Sequence, residues 1–376
     1  METSFKTFPF DATLENVASI EAISIVESRN PWAFSRLTNM PSTQKALPLL
    51  FFPRTTNSSQ ANMNFIEISS NRQNQKRFKE KSSLFMANFI GHRLLINPKG
   101  ETLGVVFACI APHGAETIPE LAGDMFEAFA ETRKGMEQLA RLMSEQEPET
   151  IVIATPHNLR VEATIGVVTS EFSEGTLEAN NKQVRLQCEC DRQLAKEILA
   201  NAKGLGLPVV GANYGTSEGP ASCMPMDWGT LIPLWFFVGQ KASKPKIVIV
   251  TPSREIPLQA LVLFGQVIAK TAEASKRKVA FVASADQGHA HKADGPYGFH
   301  PSSKSFDEMA QHTVLENDLD PLLSLPPQFI EDAKPDSVWQ VAILQGIVEC
   351  VPMKGQLLSY QVPTYFGMLS AAYQLV

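Results

Sequence analysis

Four short apolar runs, each ending in a polar loop, set the rhythm of the chain from residue 104 onward. Residues 105–110 are six uninterrupted apolar positions, followed by Pro112 and His113. Residues 151–158, IVIATPHN, repeat the gesture with Pro156 and His157, and 246–253, KIVIVTPS, place Ser253 at the histidine position. The fourth run, 278–289, KVAFVASADQGH, ends in Asp286 and His289. Runs without polar alternation predict strands buried on both faces, as in parallel sheets, and open α/β sheets bind ligands outside the carboxyl ends of such strands. His113, His157 and His289 are therefore expected on one rim.

Helical spacing fills the intervals. Pro119 suits the first helical position, and Leu121, Met125, Phe126, Phe129, Met136, Leu139 and Leu142 predict a helix over 119–145. Further helices are expected over 191–202 and 255–276, and in the C-terminal part over 306–315, 327–333 and 337–350. Residues 164–170 and 183–190 read as an antiparallel pair, 207–212 as a short strand, and 285–304 as a long polar loop. The fold class is α/β: a central mixed, largely parallel sheet covered by helices on both faces.

Residues 1–103 break this rhythm. The segment 55–83 is rich in Ser, Asn, Gln and Lys and has no sustained period. The expectation is a low-complexity, disordered leader followed by one folded α/β domain over 104–376, unless the natural product begins downstream, for example at Met86.

Composition narrows the classes. A net charge of −6 over 376 residues gives no electrostatic case for nucleic acid or an anionic membrane. The five cysteines lack the spacing of a disulfide framework, and Cys188-x-Cys190 lacks that of a zinc knuckle, which points to a reducing cytoplasm. No apolar run reaches about 18 residues, and Glu2, Asp11, Glu15 and Glu21 suit no targeting peptide.

Two histidines at equivalent strand ends suggest a metal pair, against the plainer reading of polar strand-end caps. His289 fits either a third ligand or a proton carrier, and His291 reads as an incidental loop residue. Glu116 reads as an exposed loop acid. Glu349 follows the apolar residues 342–348 and adjoins Cys350; it is either a partly buried acid that needs a cation or a helix-end acid facing water. Asp227-Trp228-Gly229 enters the rim from a loop, with Trp228 and Trp235 as core or pocket wall.

Taken together, APHG, TPHN, MDWGTLIPL, SADQGHAH with GPYGFHP, and the closing SYQVPTYFGMLSAAY resemble the class III extradiol ring-cleavage dioxygenases, nearest in pattern to catalytic beta subunits of the protocatechuate 4,5-dioxygenase type. The likeness implies a non-haem Fe(II) held by two histidines and a glutamate, here His113, His157 and Glu349, with O2 as co-substrate. It implies opening of a catecholic or aminophenolic ring next to the diol. His289, with Asp286 in the Asp-x-x-His pattern, takes the acid-base role. It also implies a small aromatic substrate and a homo-oligomer or a small second subunit. Trp228 and Gly288 stand where many members carry His and Ser. Two rival readings stay open: a metal-binding protein like the mediator-of-cell-motility (Memo) proteins, with Cys350 in place of Glu349 and a partner or redox role, and a zinc hydrolase built on His113 and His157.

Overall fold

The computed structural model describes residues 103–239 and 244–376; the expectations for residues 1–102 lie outside them. An eight-stranded sheet has the order β10-β11-β1-β9-β2-β8-β3-β6. Its strands are β1 (Gly104–Ala111), β2 (Thr150–Ala154), β3 (Ile165–Val168), β6 (Val209–Ala212), β8 (Lys246–Pro252), β9 (Lys278–Ser284), β10 (Met353–Gln361) and β11 (Met368–Leu375). The four strands seen as apolar runs, β1, β9, β2 and β8, are neighbours and all parallel. Antiparallel pairs flank them, β11 on β1 and β3 on β8, so the sheet is mixed but parallel at its centre.

The absence of polar alternation in these runs has a direct cause. Val152 and Ala154 of β2, and Val279, Phe281 and Ala283 of β9, join one core; Ile151, Ile153, Ala280 and Val282 join another on the opposite face. On the first face pack helices α3 (Arg192–Gly204), α5 (Leu258–Ser275) and α9 (Val338–Cys350). The other face is covered by α2 (Ala130–Gln146), α4 (Trp228–Leu234) and a small sheet of β5 (Lys182–Glu189), β4 (Phe172–Ala179) and β7 (Cys223–Pro225). The remaining helices are α1 (Pro119–Ala122), α6 (Pro301–Glu316), α7 (Asp320–Leu323) and α8 (Pro327–Ala333).

Two local expectations are corrected. The helix over 119–145 is interrupted: α1 stops at Gly123, whose φ of 51° is left-handed, and short 3-10 turns lead into α2. A Cβ at Gly123 would lie 2.4 Å from the Asn180 amide, so the break also lets the chain pass close to the small sheet. The second correction concerns pairing. Residues 183–190 do not pair with 164–170; β5 pairs with β4 across Asn180-Asn181, both at positive φ, as a two-residue hairpin turn requires. β3 instead enters the large sheet beside β6 and β8. Cys188 and Cys190 are buried on and just beyond β5, and the cysteines are all free thiols.

Candidate metal centre

The carboxyl ends of β1, β9 and β2 carry His113, Asp286 and His157 onto one rim, as the apolar runs predict. A fourth residue arrives from elsewhere: Asp336, two residues before α9. His113 Nε2 and His157 Nε2 are 3.0 Å apart, and Asp336 Oδ2 lies 3.3 Å from the first and 3.4 Å from the second. Two donor atoms that each sit about 2.1 Å from one ion, 90–110° apart, are separated by about 3.0–3.4 Å. The triangle therefore fits a single metal ion.

Each corner is oriented by its neighbours. Ser284 Oγ donates to Gly229 O, so its lone pairs face His113 Nδ1, 3.0 Å away. That places the proton on Nδ1 and leaves the Nε2 lone pair for a ligand. The Asp286 amide donates to Asp336 Oδ1 at 2.8 Å, and the His113 amide donates to Asp286 Oδ1 at 3.1 Å. In both carboxylates one oxygen is tied to backbone and the other is turned toward the histidines.

His157 is held through the Asp227-Trp228-Gly229 segment. Asp227 caps α4 and accepts from Thr230 N, Thr230 Oγ1, Thr155 Oγ1 and Asn158 Nδ2, between 2.7 and 3.0 Å, so it ties the TPHN loop to the helix. Trp228 is no core residue: it is 39% exposed and stacks on the His157 ring at 4.2 Å. A Cβ at Gly229 would lie 2.6 Å from Thr155 Oγ1, which makes this close approach specific to glycine.

His289 completes a second group with Asp286 and Asp336, its ligand-capable atoms all within 4.8 Å of one another. Its Nδ1 donates to Gln287 O at 2.7 Å, which frees Nε2 as a base. The ring stacks on Phe366 at 5.2 Å and meets Tyr297 edge-on at 5.7 Å. His291 is not incidental. It is 2.8 Å from the buried Asp307, which also accepts from the Gly288 amide and Tyr360 Oη, so this carboxylate anchors the loop that bears His289.

Charge follows from this crowding. Burial alone would lower the His113 pKa, but Asp286 and Asp336 outweigh it and push it up to about 9. Burial raises Asp286 to about 7, against the pull of His113. For Asp336 burial is overcome by His113 and His157, which hold it well below the usual carboxylate range. Burial pushes His289 below its ordinary value, so it is neutral near pH 7. Without a cation, the cluster keeps a proton on His113 as the counter-charge to its carboxylates.

Glu349, expected from the resemblance as the carboxylate ligand, is not brought to the pair. It is exposed near the far end of α9, thirteen residues after Asp336, about 16 Å along the helix from its first turn. Gln266 and Gln345 donate to its carboxylate. Cys350 adjoins it at the same end, and burial pushes its thiol up to about 12, against the thiolate that a metal needs. Asp336 escaped notice because Lys-Pro-Asp-Ser before an apolar helix reads as an N-terminal cap. No apolar strand leads into it, so nothing in the chain's rhythm marks it.

The sequence model of one protein family, described as the catalytic LigB subunit of aromatic ring-opening dioxygenase, matches residues 107–369, and the chain belongs to that family. Protein CA_C1420 of Clostridium acetobutylicum is 25% identical over 253 residues, 67% of this chain and 54% of that protein. The chain thus spans about half the length of the curated relative it matches. The crystal structure of uncharacterized protein JW3007 from Escherichia coli K12 is similar with a TM-score of 0.46 and 13% identity, covering 71% of this chain and 99% of that one. A likeness of that degree carries no argument about the site. Among the described residues no helix is long and apolar enough to cross a membrane.

Proposed function

We propose that this protein is a non-haem Fe(II) dioxygenase that opens a catecholic or aminophenolic ring next to its hydroxyl-bearing carbons. The observation that carries the proposal is the His113–His157–Asp336 triangle facing the base His289, in a chain of the LigB family. Two imidazoles and one carboxylate on one face suit ferrous iron and leave the opposite positions for substrate and O2. Iron held there would supply the oxygen chemistry that side chains lack.

The protein's own part is orientation and proton transfer. His289 is neutral, and its free Nε2 is positioned to take a proton from a substrate hydroxyl and return it to the product. Phe366, Tyr297 and Tyr365 around His289 offer aromatic faces to a planar ring. The negative charge of Asp336, with a smaller part from Asp307, stabilises the imidazolium that forms when His289 holds the proton. This assignment exchanges the glutamate of the resembled pattern for Asp336 and keeps its two histidines and its acid-base residue.

The test is oxygen uptake by anaerobically purified, Fe(II)-loaded protein against a panel of catechols and aminophenols, with absorbance followed for a ring-opened product. Uptake with one coloured product per O2 is expected; iron-loaded protein that consumes no O2 across the panel would overturn the proposal. His289→Phe should keep its iron and lose at least about a hundredfold in turnover. Loss of iron in that variant would make His289 a ligand instead.

A further inference from the structure

The donors gathered at the rim outnumber what one ion needs. Asp336 completes the triangle with His113 and His157, and the same aspartate belongs to a second group with Asp286 and His289, whose ligand-capable atoms also lie within 4.8 Å of one another. His157 takes part in the first group and His289 in the second, so two donor sets meet at one shared carboxylate.

Each member of the second set has an atom free for a ligand. Gln287 O engages His289 Nδ1 at 2.7 Å, which leaves Nε2 as the ligand atom of that ring. Asp286 accepts the His113 amide at Oδ1 and turns Oδ2 to His113 Nε2 at 3.3 Å. Asp336 accepts the Asp286 amide at Oδ1 and presents Oδ2 to both histidines of the triangle. A metal ion in the triangle takes the lone pair of His113 Nε2, and a coordinated nitrogen donates no hydrogen bond. Asp286, 2% exposed, then holds a buried carboxylate oxygen that has lost its donor. A buried carboxylate in that position calls for a cation. His289 supplies the imidazole on the far side, and Asp336 supplies the bridge.

We propose that Asp286, His289 and Asp336 form a second divalent-cation site, joined to the first through Asp336, which fills at excess metal and switches the centre off. Two carboxylates balance one divalent ion, so the second ion binds against net positive charge and is the weaker of the two. Imidazole and carboxylate donors suit Zn(II), which such sites hold more tightly than Fe(II). The second ion occupies the Nε2 lone pair of His289, the atom that must receive the substrate proton. Inhibition rests on the ring-opening reading above; the binding of a second ion does not.

The experiment dialyses metal-depleted full-length chain against buffered free Zn(II) and counts the bound metal. Two ions per chain are expected, the second held at least about tenfold more weakly than the first. Saturation at one ion would overturn the proposal. His289→Phe, and Asp286→Asn, which keeps an acceptor for the His113 amide, should each retain the first ion and lose the second. Two ions in both variants would place the extra ion elsewhere and reject the assignment. Loss of the first ion from both would merge the groups into one site and reject it as well. Co(II) gives a readout independent of counting: its paramagnetic resonance signal should grow with the first equivalent and shrink with the second, because ions about 3.5–4 Å apart across a shared carboxylate couple. A signal that simply doubles would separate the ions and refute the bridge. Fe(II)-loaded chain should lose about tenfold or more of its O2 uptake on addition of Zn(II) while its iron stays bound, and recover it when free Zn(II) is lowered. Inhibition that accompanies loss of iron would be exchange at the first site and would reject the switch. Two coupled ions in a chain that consumes no O2 when iron alone is bound keep the second site and sink the ring-opening reading, whereas O2 uptake by a chain that stops at one ion does the reverse.

Discussion

His113 is fixed from both sides of its ring, by Ser284 at Nδ1 and by a second imidazole and two carboxylates around Nε2. Asp336 closes the triangle, so Asp336→Asn should lower metal affinity by roughly a hundredfold, whereas Glu349→Gln should leave it within about twofold. Metal content after dialysis checks both variants. The same crowding sets a pH dependence. His113 is raised from 6.5 to about 9 and Asp286 from 3.8 to about 7. A raised pKa gives stability that is complete below the unfolded value and is lost as pH climbs through the folded one. The metal-free protein should therefore lose stability as pH rises from about 4 to about 7 through Asp286, and again between about pH 6.5 and pH 9 through His113. A metal ion displaces the His113 proton, so its affinity should rise with pH over that window, up to about tenfold per unit for each proton released. Zn(II) titrations at pH 6.5 and 8.5 measure the difference; an affinity independent of pH would contradict the assigned protonation.

At the scale of elements, the site depends on how α9 is seated. It crosses α5 at two glycines: a Cβ at Gly346 would lie 1.8 Å from Val262 O, and one at Gly265 would lie 1.9 Å from Ile343 O. These obstacles are backbone atoms, which no rotamer change can move. Gly346→Ala should thus cost about 1–3 kcal/mol or more in unfolding free energy. It should also weaken metal binding, because Asp336 enters from the N-terminal end of the displaced helix. Chemical denaturation and metal titration of one variant read both effects. The parallel strands at the sheet centre were legible as uninterrupted apolar runs, because burial on both faces removes polar alternation. The pairing of β5 was not. It depends on β4, whose residues 172–179 are mixed in polarity, and on the Asn180-Asn181 turn, a local signal overshadowed by the stronger apolar run at 164–170.

For the molecule as a whole, a cluster of buried acids and imidazoles that awaits a cation couples metal binding to folding. A chelator should lower the melting temperature of the metal-loaded protein, by an amount equivalent to about 2.7 kcal/mol when the metal is in hundredfold excess over its dissociation constant. Reductant should change nothing, since the described cysteines are free thiols. Calorimetric scans with and without each reagent check both statements.

By itself the sequence determined the α/β class, the four central strands and the two histidines at their ends, because strand burial and strand-end chemistry are written in adjacent residues. It also determined the loop that carries Asp286 and His289. Only the tertiary structure decided which carboxylate meets the histidines. Asp336 reaches His113 across more than two hundred residues of chain because α9 docks its first turn against the sheet rim. Glu349 sits too far along the same helix to do so. Spacing along a chain is silent about such a meeting, which depends on where a helix is packed and which of its ends faces the site.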